Sequence, residues 1–562
     1  IRLDAPIHET LTANYVGALA VVRLSERMRR LRSLCYISTC YTNMNRPRGS
    51  LVEERLYPLK VGGKEVDITG LAEELLNLPA DAAAQRAQSC IELWGFRNTY
   101  AFGKHLTEKA LAAINAELRL PLAIVRPSLV SAISAEPYPG YCGNFAGPVG
   151  SAAAYFTGLY DDQPEAVACD PNSIWDIVPG DTAVHAILAA AAAVANPLTR
   201  AALLAAAPGG PSAGAAVDSR GASSSSGSFE DAVDPADAPE VDARAPAAAA
   251  SAYDGTPLIV QIATSCTYPQ TTAELFNGTV MWVSAHRRGF TLATGRLRGM
   301  DPSKPFDQAE CDRLKRVAGK KVKPLAWLLR RMGGKGGKKL ATQLSVGMKS
   351  FVTLNTKKYD LHVFFGVATL LRLEAALEPS ERDSFSIVWR PPPTEVPRVQ
   401  ALLQRSGADP STGGAAAGAG QPRGGSDSSD TTNSTNCAAE VATQPLAAAK
   451  QTAARIVELS ARAEHGAAAA DGAAPATDEA AASAGFSQPD ALRRARGGGW
   501  PLFHNNVYAF LYKSLYNKEV PAESKIARRK LLRVMPHLGA EAADGARTVQ
   551  HSFAPMRAER AR

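Results

Sequence analysis

The sequence is poor in cysteine and contains no arrangement of ligand residues that is typical of a metal site. Its 562 residues include 8 cysteines and 9 histidines, without a Cys-x-x-Cys pair or a Cys/His cluster at zinc spacing. Cys35 and Cys40 flank a short apolar run, where small buried side chains are their simplest interpretation. We therefore predict no bound metal, reduced thiols and an intracellular location.

Long apolar runs are also scarce, whereas a membrane-spanning helix needs about 20 predominantly apolar residues. The nearest approach is the alanine-rich stretch 183–207, which His185, Asn196, Pro197 and Arg200 interrupt. We predict that this stretch forms an amphipathic helix packed on a sheet, and we identify no transmembrane segment.

Nucleic-acid-binding motifs are missing, although the formal net charge is +8. Eleven lysines and arginines lie between residues 313 and 339, with only Trp327 as an aromatic residue among them. Three interpretations of this basic segment stay open: a solvated face, attraction to anionic lipid headgroups, or contact with phosphate groups of a ligand or nucleic acid. We predict no nucleic-acid partner and keep peripheral membrane association as an alternative.

Two segments have too few large apolar side chains to fold on their own. Residues 208–252 combine glycine, proline, alanine and a serine run, and residues 404–495 are rich in alanine, glycine, serine, threonine and aspartate. Neither segment can bury enough apolar surface to offset the entropy lost when a chain becomes ordered. We predict that both are disordered and that they separate three ordered parts, residues 1–207, 253–403 and 496–562.

The most informative motif lies in residues 98–104, which read Asn-Thr-Tyr-Ala-Phe-Gly-Lys at a predicted helix start. Because Tyr100 and Lys104 are four residues apart, a helix places the phenol and the ammonium on one face. The ordinary pKa of tyrosine is about 10, and a neighbouring lysine cation favours the phenolate, so the pair can exchange a proton with a carbonyl oxygen. This spacing also occurs by chance in many helices, and its meaning depends on the surrounding motifs.

Two short apolar strands are predicted around this helix, and hydroxyl residues follow each of them. Residues 34–37 form the first strand, with Ser38 and Thr39 at its carboxyl end, and residues 120–130 form the second, which contains Arg-Pro-Ser at 126–128. Ligands of open α/β sheets bind at the carboxyl ends of the strands, so these hydroxyls are candidate ligand contacts. The order of strand, hydroxyl, helix and strand predicts the second half of a dinucleotide-binding domain.

Six short motifs follow one another between residues 14 and 181. They are Asn-x-x-Gly at 14–17, Ser-Thr-x-Tyr at 38–41, Tyr-x-x-x-Lys at 100–104, Arg-Pro-Ser at 126–128, Glu-Pro-x-Pro-Gly-Tyr at 136–141 and Val-Pro-x-Asp at 178–181. In this order they resemble the alcohol-forming fatty acyl-CoA reductases, a branch of the extended short-chain dehydrogenases/reductases. The long interval between Thr39 and Tyr100 also suits this branch.

The resemblance implies a catalytic role for three side chains. Tyr100 would protonate the carbonyl oxygen of the substrate, Lys104 would favour the ionisation of Tyr100, and Thr39, or else Ser38, would bind the carbonyl oxygen. Such an enzyme reduces a fatty acyl-CoA first to an aldehyde and then to an alcohol, and it consumes two NADPH.

The resemblance also implies a set of residues that bind the cofactor NADPH. Lys104 would hold the nicotinamide ribose beside Tyr100, and Asn14 would support that lysine, often through water. Pro127 and Ser128, at the end of the second strand, would lie under the nicotinamide.

One feature of the family pattern is missing from the sequence. No Gly-x-x-Gly-x-x-Gly turn precedes the first helix, and the chain begins with Ile1 instead of Met. In this fold that turn cradles the pyrophosphate, and a residue beyond it selects NAD or NADP. We expect a chain truncated at its N-terminus, with a parallel sheet that lacks its first strands and no activity on its own.

The later part of the chain resembles the C-terminal region of the same family, mainly in residue character. Residues 257–265 predict a strand, helices follow near 273–282 and 364–377, and the aromatic stretch 500–535 predicts an amphipathic helix. The resemblance implies a helical region that covers the acyl chain, although a helical cap without a ligand is the alternative. The aromatic helix would pack on this cap or lie on a membrane surface.

These observations predict an α/β fold with a Rossmann-type parallel sheet, followed by a mostly helical C-terminal region and interrupted by the two disordered segments. The leading hypothesis for function is NADPH-dependent reduction of a long-chain fatty acyl-CoA to the fatty alcohol through an aldehyde. The alternatives are another oxidoreductase of the same fold, either an aldehyde-forming thioester reductase or a sterol or sugar dehydrogenase, and an inactive relative that retains only lipid association. The intact Thr39, Tyr100 and Lys104 disfavour the inactive relative, whereas the missing glycine turn favours it.

Overall fold

The computed structural model describes residues 5–143, 147–156, 170–205, 253–286, 299–304, 363–405 and 488–516, with residue 520 and scattered positions between 307 and 342. The predicted low-complexity segment 208–252 lies outside these residues, as do most of segment 404–495 and most of the basic segment 313–339. The last residues of segment 404–495 belong to a helix that begins at Gln488.

The strands are short, and the longest of them lie in one sheet. The strands described are β1 (Leu34–Ile37), β2 (Leu51–Val52), β3 (Lys60–Val61), β4 (Lys64–Glu65), β5 (Leu122–Pro127), β6 (Leu129–Val130), β7 (Ile174–Trp175), β8 (Ile177–Val178), β9 (Leu258–Ile262), β10 (Gln270–Thr271) and β11 (Phe364–Phe365).

Helices account for most of the described chain. They are α1 (Ile7–Leu11), α2 (Gly17–Glu26), α3 (Ile68–Asn77), α4 (Ala80–Trp94), α5 (Thr99–Leu118), α6 (Gly147–Phe156), α7 (Gly180–Ala195), α8 (Pro197–Ala205), α9 (Thr272–Ala285), α10 (Ala368–Ala376), α11 (Pro379–Ser384), α12 (Val396–Arg405) and α13 (Gln488–Tyr516). A π-helical turn, Thr12–Val16, joins α1 to α2, and 3-10 turns cover Cys40–Asn43 and Pro393–Glu395.

The central sheet is parallel, with strand order β1-β5-β9. Its middle and far strands are apolar except for Arg126 and Gln261 and are buried throughout, as expected for a sheet that is covered on both faces. Leu122 of β5 packs towards α2 and α5, whereas Ala123 and Val125 pack with the small residues of α7 on the opposite face. The predicted strands at 34–37 and 257–265 are confirmed, and the predicted strand at 120–130 is present as β5 and β6.

The alanine-rich stretch 183–207 covers one face of this sheet, as predicted. It forms α7 and α8, and the buried face of α7 includes Ala183, Ala186 and Ala190. Within the described residues no single helix is long and apolar enough to cross a membrane, and only α7 and α8 taken together reach that length, with a bend of 106° between them.

The C-terminal elements build a second, aromatic core beside the sheet. Phe156 of α6 stacks on Trp282 of α9 with ring centroids 5.3 Å apart, and Tyr508 of α13 contacts both rings. The predicted aromatic helix therefore packs on the helical cap through residues 500–512, with a break in helical geometry at Gly499. The α/β architecture, with its parallel sheet and helical C-terminal part, confirms the predicted fold class.

Candidate functional site

The carboxyl ends of β1, β5 and β9 meet at one edge of the sheet because the three strands are parallel. Ser38 and Thr39 follow β1, and Pro127 ends β5 with Ser128 directly after it. The Thr39 hydroxyl donates a hydrogen bond to the Pro127 carbonyl at 3.2 Å, and the Ser128 amide donates to the Ile262 carbonyl of β9 at 2.8 Å. The structure thus brings the predicted hydroxyl residues of two separate motifs together.

Helix α5 starts where the sequence predicted and carries Tyr100 and Lys104 towards this edge. Asn98 is its N-cap, and the Asn98 side-chain oxygen accepts a hydrogen bond from the Ala101 amide at 2.9 Å. This cap fixes the first turn, in which Tyr100 is the second helical residue. The predicted helix start at residues 98–104 is confirmed.

Lys104 is buried and bound to the end of β1. Its ammonium donates a hydrogen bond to the Ile37 carbonyl at 2.8 Å and lies 4.7 Å from the centroid of the Tyr36 ring. Burial lowers the pKa of Lys104 to about 8, and the nearby Glu108 carboxylate opposes this change. At neutral pH the side chain is therefore mostly a cation whose charge is held inside the protein.

Tyr100 departs from the expectation that Lys104 would favour its phenolate. Burial raises the pKa of Tyr100 to about 12, because the phenolate loses more by leaving water than the phenol does. A phenolate at Tyr100 would also repel a phenolate at Tyr36, so the neutral forms of the two side chains favour each other. Tyr100 is thus a protonated phenol at neutral pH, which suits a proton donor better than a base.

Two serine hydroxyls at the strand ends stand out because they are buried without a partner. Among the described residues, the hydroxyls of Ser38 and Ser128 make no hydrogen bond, although both side chains are almost inaccessible to water. Buried polar groups in proteins nearly always find a partner, so such groups point to a ligand that supplies one. These hydroxyls and the ammonium of Lys104 fit the ribose and amide groups of a nicotinamide cofactor, which the family resemblance implied at Pro127 and Ser128.

Asn14 lies in an irregular piece of helix that packs against α5. It belongs to the π-helical turn Thr12–Val16, and its side-chain nitrogen donates to the Thr10 carbonyl at 3.1 Å. No hydrogen bond joins Asn14 to Lys104 among the residues described. Its predicted support of the lysine through water stays a prediction, and isolated π-helical turns are frequent at functional sites.

A buried ion pair beneath the site was not predicted from the sequence. Arg126 of β5 and Glu108 of α5 form a two-pronged pair, with N···O distances of 2.9 and 2.6 Å and almost no exposed side-chain area. Two features of the sequence could have indicated this pair. Glu108 follows Lys104 by the same four-residue step that separates Lys104 from Tyr100, which places it on the same helix face. Arg126 interrupts an apolar strand. An arginine inside such a strand requires a buried anion.

The loop that contains residues 136–141 is held by Asp181 at the start of α7. The Asp181 carboxylate accepts hydrogen bonds from the Ser134 amide and hydroxyl and from the Ala135 amide. At the other end of the loop Tyr141 contacts Phe510 of α13, with ring centroids 5.8 Å apart. The Val-Pro-Gly-Asp and Glu-Pro-Tyr-Pro-Gly-Tyr motifs therefore form one unit beside the carboxyl edge of the sheet.

Comparison with known proteins agrees with this geometry. Residues 1–187 match the NAD-binding family model described as male sterility protein. Fatty acyl-CoA reductase 1 of Xenopus laevis and that of Homo sapiens are each 29% identical over 194 residues, which are 34% of this chain and 34% of theirs. Fatty acyl-CoA reductase 2 of Mus musculus is 29% identical over 195 residues, with the same coverage of both chains. The match thus spans about a third of the length of these curated relatives.

Proposed function

We propose that the protein is a fatty acyl-CoA reductase, because its residues 1–187 match the family model described as male sterility protein and its aligned relatives carry that name. The proposed reaction is the reduction of a long-chain fatty acyl-CoA to the fatty alcohol through an aldehyde, with NADPH as the reductant.

The observation that carries this proposal is the convergence of a buried cation and unpartnered hydroxyls at the carboxyl edge of one parallel sheet. Lys104 reaches the end of β1, Ser38 follows that strand, and Ser128 follows β5 beside it. Nicotinamide cofactors bind at this edge in folds of this class. The names of the aligned relatives support an acyl-CoA as the substrate.

The bound cofactor would supply a hydride to the carbonyl carbon of the thioester. Tyr100 would give its proton to the carbonyl oxygen, since its side chain is a protonated phenol near neutral pH. The hydroxyl of Ser38 or Thr39 would donate a hydrogen bond to the same oxygen while negative charge develops on it. The Lys104 cation would stabilise that charge and hold the ribose.

The reaction balances over two rounds at one site. In the first round the carbon–sulfur bond breaks, coenzyme A leaves as the thiol with a proton, and the aldehyde remains. In the second round the aldehyde takes a hydride at carbon and a proton at oxygen, which gives the alcohol. Each round needs one reduced cofactor and one proton, so the alcohol requires two of each.

The experiment is an assay of the longest natural form of the protein that contains this chain, with palmitoyl-CoA and either NADPH or NADH. Cofactor oxidation is followed by absorbance and products by gas chromatography. We expect hexadecanol with two NADPH oxidised per thioester and slower turnover with NADH. Hexadecanal alone would replace the proposal by an aldehyde-forming reductase. Folded protein that binds NADPH without turnover would refute the acyl-CoA substrate, and folded protein that binds neither cofactor would refute the enzyme.

A further inference from the structure

The strand residue Tyr36 lies directly beneath the ammonium of Lys104, and neither the motifs nor the relatives draw attention to it. We propose that Tyr36 is a positioning residue that holds Lys104 in its catalytic place through the face of its aromatic ring. This inference rests on the proposed function for its consequence in catalysis, but the interaction itself can be measured without substrate or cofactor.

Side chains along β1 point alternately to the two faces of the sheet, and this alternation places Tyr36 beside Lys104. Leu34 and Tyr36 point towards α2 and α5, whereas Cys35 packs on the opposite face. The next carbonyl along the strand, that of Ile37, accepts the hydrogen bond from Lys104 at 2.8 Å. Two consecutive residues of one strand therefore fix the ammonium, one through a carbonyl oxygen and the other through a ring face 4.7 Å away.

This arrangement leaves the lysine able to bind a ligand. An ammonium has three N–H donors, of which the Ile37 carbonyl takes one and the ring face attracts the charge without accepting a conventional hydrogen bond. At least one donor therefore stays available for a ribose hydroxyl. A carboxylate in the place of the ring would compete for that donor.

The other charged and titratable groups around Lys104 do not supply the attraction that the Tyr36 ring offers to its ammonium. On its own helix these groups are Tyr100, which is a neutral phenol, and Glu108, whose two oxygens are both bound by Arg126. From β1 the group is Tyr36 itself, and from β5 it is Arg126, which neutralises Glu108. The ring face is thus the partner that these groups leave to the ammonium besides the Ile37 carbonyl.

The hydroxyl of Tyr36 does not contribute to the proposed interaction with Lys104. Burial raises the pKa of Tyr36 above its usual value, so the phenol stays neutral across the working pH range. The attraction comes from the ring quadrupole, which phenylalanine shares. Tyr36→Phe should therefore preserve the position of Lys104, whereas Tyr36→Leu should release it.

The first test measures the titration of Lys104 directly. Protein labelled with 13C at the lysine ε-carbon is titrated by NMR without cofactor or substrate, and Lys104→Met identifies the resonance. We expect Tyr36→Leu to lower the midpoint of Lys104 by about half to one pH unit, since the cation loses an attractive partner inside the protein. Tyr36→Phe should titrate within about 0.2 unit of the wild type.

Three outcomes would overturn the proposal: an unchanged midpoint in Tyr36→Leu, an equal shift in both variants, or an upward shift in Tyr36→Leu. Fluorinated phenylalanines at position 36 keep the shape of the ring and weaken its quadrupole, so they serve if the leucine variant does not fold. The midpoint should then fall stepwise with the number of fluorine atoms, and a constant midpoint would refute the role of the ring.

The second readout connects the interaction to catalysis. In the pH profile of kcat/KM, the decline at high pH should shift to lower pH in Tyr36→Leu by the same amount as the NMR midpoint. In Tyr36→Phe this decline should occur at the same pH as in the wild type. A substitution that only disturbed the local structure would lower kcat/KM at every pH without shifting the pH at which it declines. A protein that lacks reductase activity but shows the NMR shift would refute the proposed function and leave the positioning of Lys104 intact.

Discussion

At the scale of single residues, burial sets the protonation states of the site. It raises the pKa of Tyr100 to about 12 and lowers the pKa of Lys104 to about 8, so both side chains carry a proton at pH 7. The sequence predicted the pair from its four-residue spacing, but the effect of burial on the pKa of Tyr100 could not be read from that spacing. The spacing does not reveal that the ammonium is bound to the Ile37 carbonyl and the Tyr36 ring.

The hydroxyl that binds the carbonyl oxygen can be identified by a pair of substitutions. Thr39 already donates to the Pro127 carbonyl, whereas the Ser38 hydroxyl is buried and has no partner among the described residues. We expect Ser38→Ala to lower kcat by about 100-fold, as expected for the loss of one donor to a developing oxyanion. Thr39→Val should lower kcat less than about tenfold and destabilise the strand ends.

Steady-state kinetics of both variants with palmitoyl-CoA, alongside their thermal unfolding midpoints, checks this assignment. A large loss of kcat in Thr39→Val with little change in Ser38→Ala would return the role to Thr39, as the resemblance originally implied.

At the scale of elements, the site depends on how α5 is fixed to β5. The Glu108–Arg126 pair joins the helix that carries Tyr100 and Lys104 to the strand that ends in Pro127 and Ser128. Both partners are fully buried, so the removal of one leaves an uncompensated charge away from water. The pair thus fixes the distance between the two halves of the site.

The cost of separating this pair can be measured by a double-mutant cycle. We expect Glu108→Leu alone and Arg126→Met alone each to lower the free energy of unfolding by roughly 3–5 kcal/mol. The double variant Glu108→Leu with Arg126→Met should cost much less than the sum, because no buried charge remains. Chemical unfolding monitored by circular dichroism gives the values, and strictly additive losses would show that the pair does not act as a unit.

The loop after β6 is attached to α13 by a close backbone approach at Gly140. This glycine has φ +82°, and a β-carbon there would collide with the Asn506 carbonyl of α13. Gly63 provides a matched control, since it has φ +81° and nothing within 4 Å of the same position.

Alanine at the two glycines separates the effect of the close approach from that of the backbone conformation. We expect Gly63→Ala to lower the free energy of unfolding by about 1 kcal/mol, which is the cost of a left-handed residue. Gly140→Ala should cost about 1–3 kcal/mol more, because the loop and α13 must move apart. Equal losses in thermal or chemical unfolding would mean that the loop is not fixed to the helix.

The elements of the fold were more predictable than the contacts between them. Leu34–Ile37, the N-cap at Asn98 and the helix after Val178 follow from local apolar runs and capping residues, and the structure contains each of them. The docking of Gly140 on Asn506 joins residues that are far apart in the chain, and no periodicity or motif marks it. The π-helical turn at Asn14 was equally hidden, because its sequence is that of an ordinary helix.

At the scale of the whole molecule, the part of the chain after residue 253 completes the sheet and is fixed to the N-terminal part at Glu54. The Glu54 carboxylate accepts hydrogen bonds from the Gln261 amide of β9 and the Thr369 amide of α10. The Gln261 side chain donates in turn to the carbonyls of Val52 and Gly366. Burial raises the pKa of Glu54 to about 7, and the hydrogen bonds oppose this change.

This junction predicts a pH-dependent stability. Between pH 4.5 and 7 the unfolded chain ionises Glu54 while the folded chain holds its proton, so stability falls as the pH rises through this window. The full effect is roughly 3 kcal/mol, and it is complete above the folded pKa. Buried His105 and His504 have lowered pKa values and act in the opposite direction over part of the same range.

The comparison of wild type with Glu54→Gln isolates the contribution of Glu54 to the pH dependence of stability. His105 and His504 are present in both proteins, so their contributions cancel. The difference in unfolding free energy between the two should change by roughly 2–3 kcal/mol from pH 5 to pH 7.5, with the wild type losing stability relative to the variant. Thermal and chemical unfolding at a series of pH values supply this difference. A difference that is constant with pH would show that Glu54 titrates as an ordinary exposed carboxylate.

The most direct test of the central claim follows the hydride itself. NADPH that carries deuterium at the transferred position of the nicotinamide is incubated with palmitoyl-CoA and the longest natural form of the protein that contains this chain, and the products are analysed by mass spectrometry. We predict hexadecanol with two deuterium atoms on its first carbon, and no labelled product from Tyr100→Phe. Alcohol without deuterium, or undiminished labelling in Tyr100→Phe, would contradict the account.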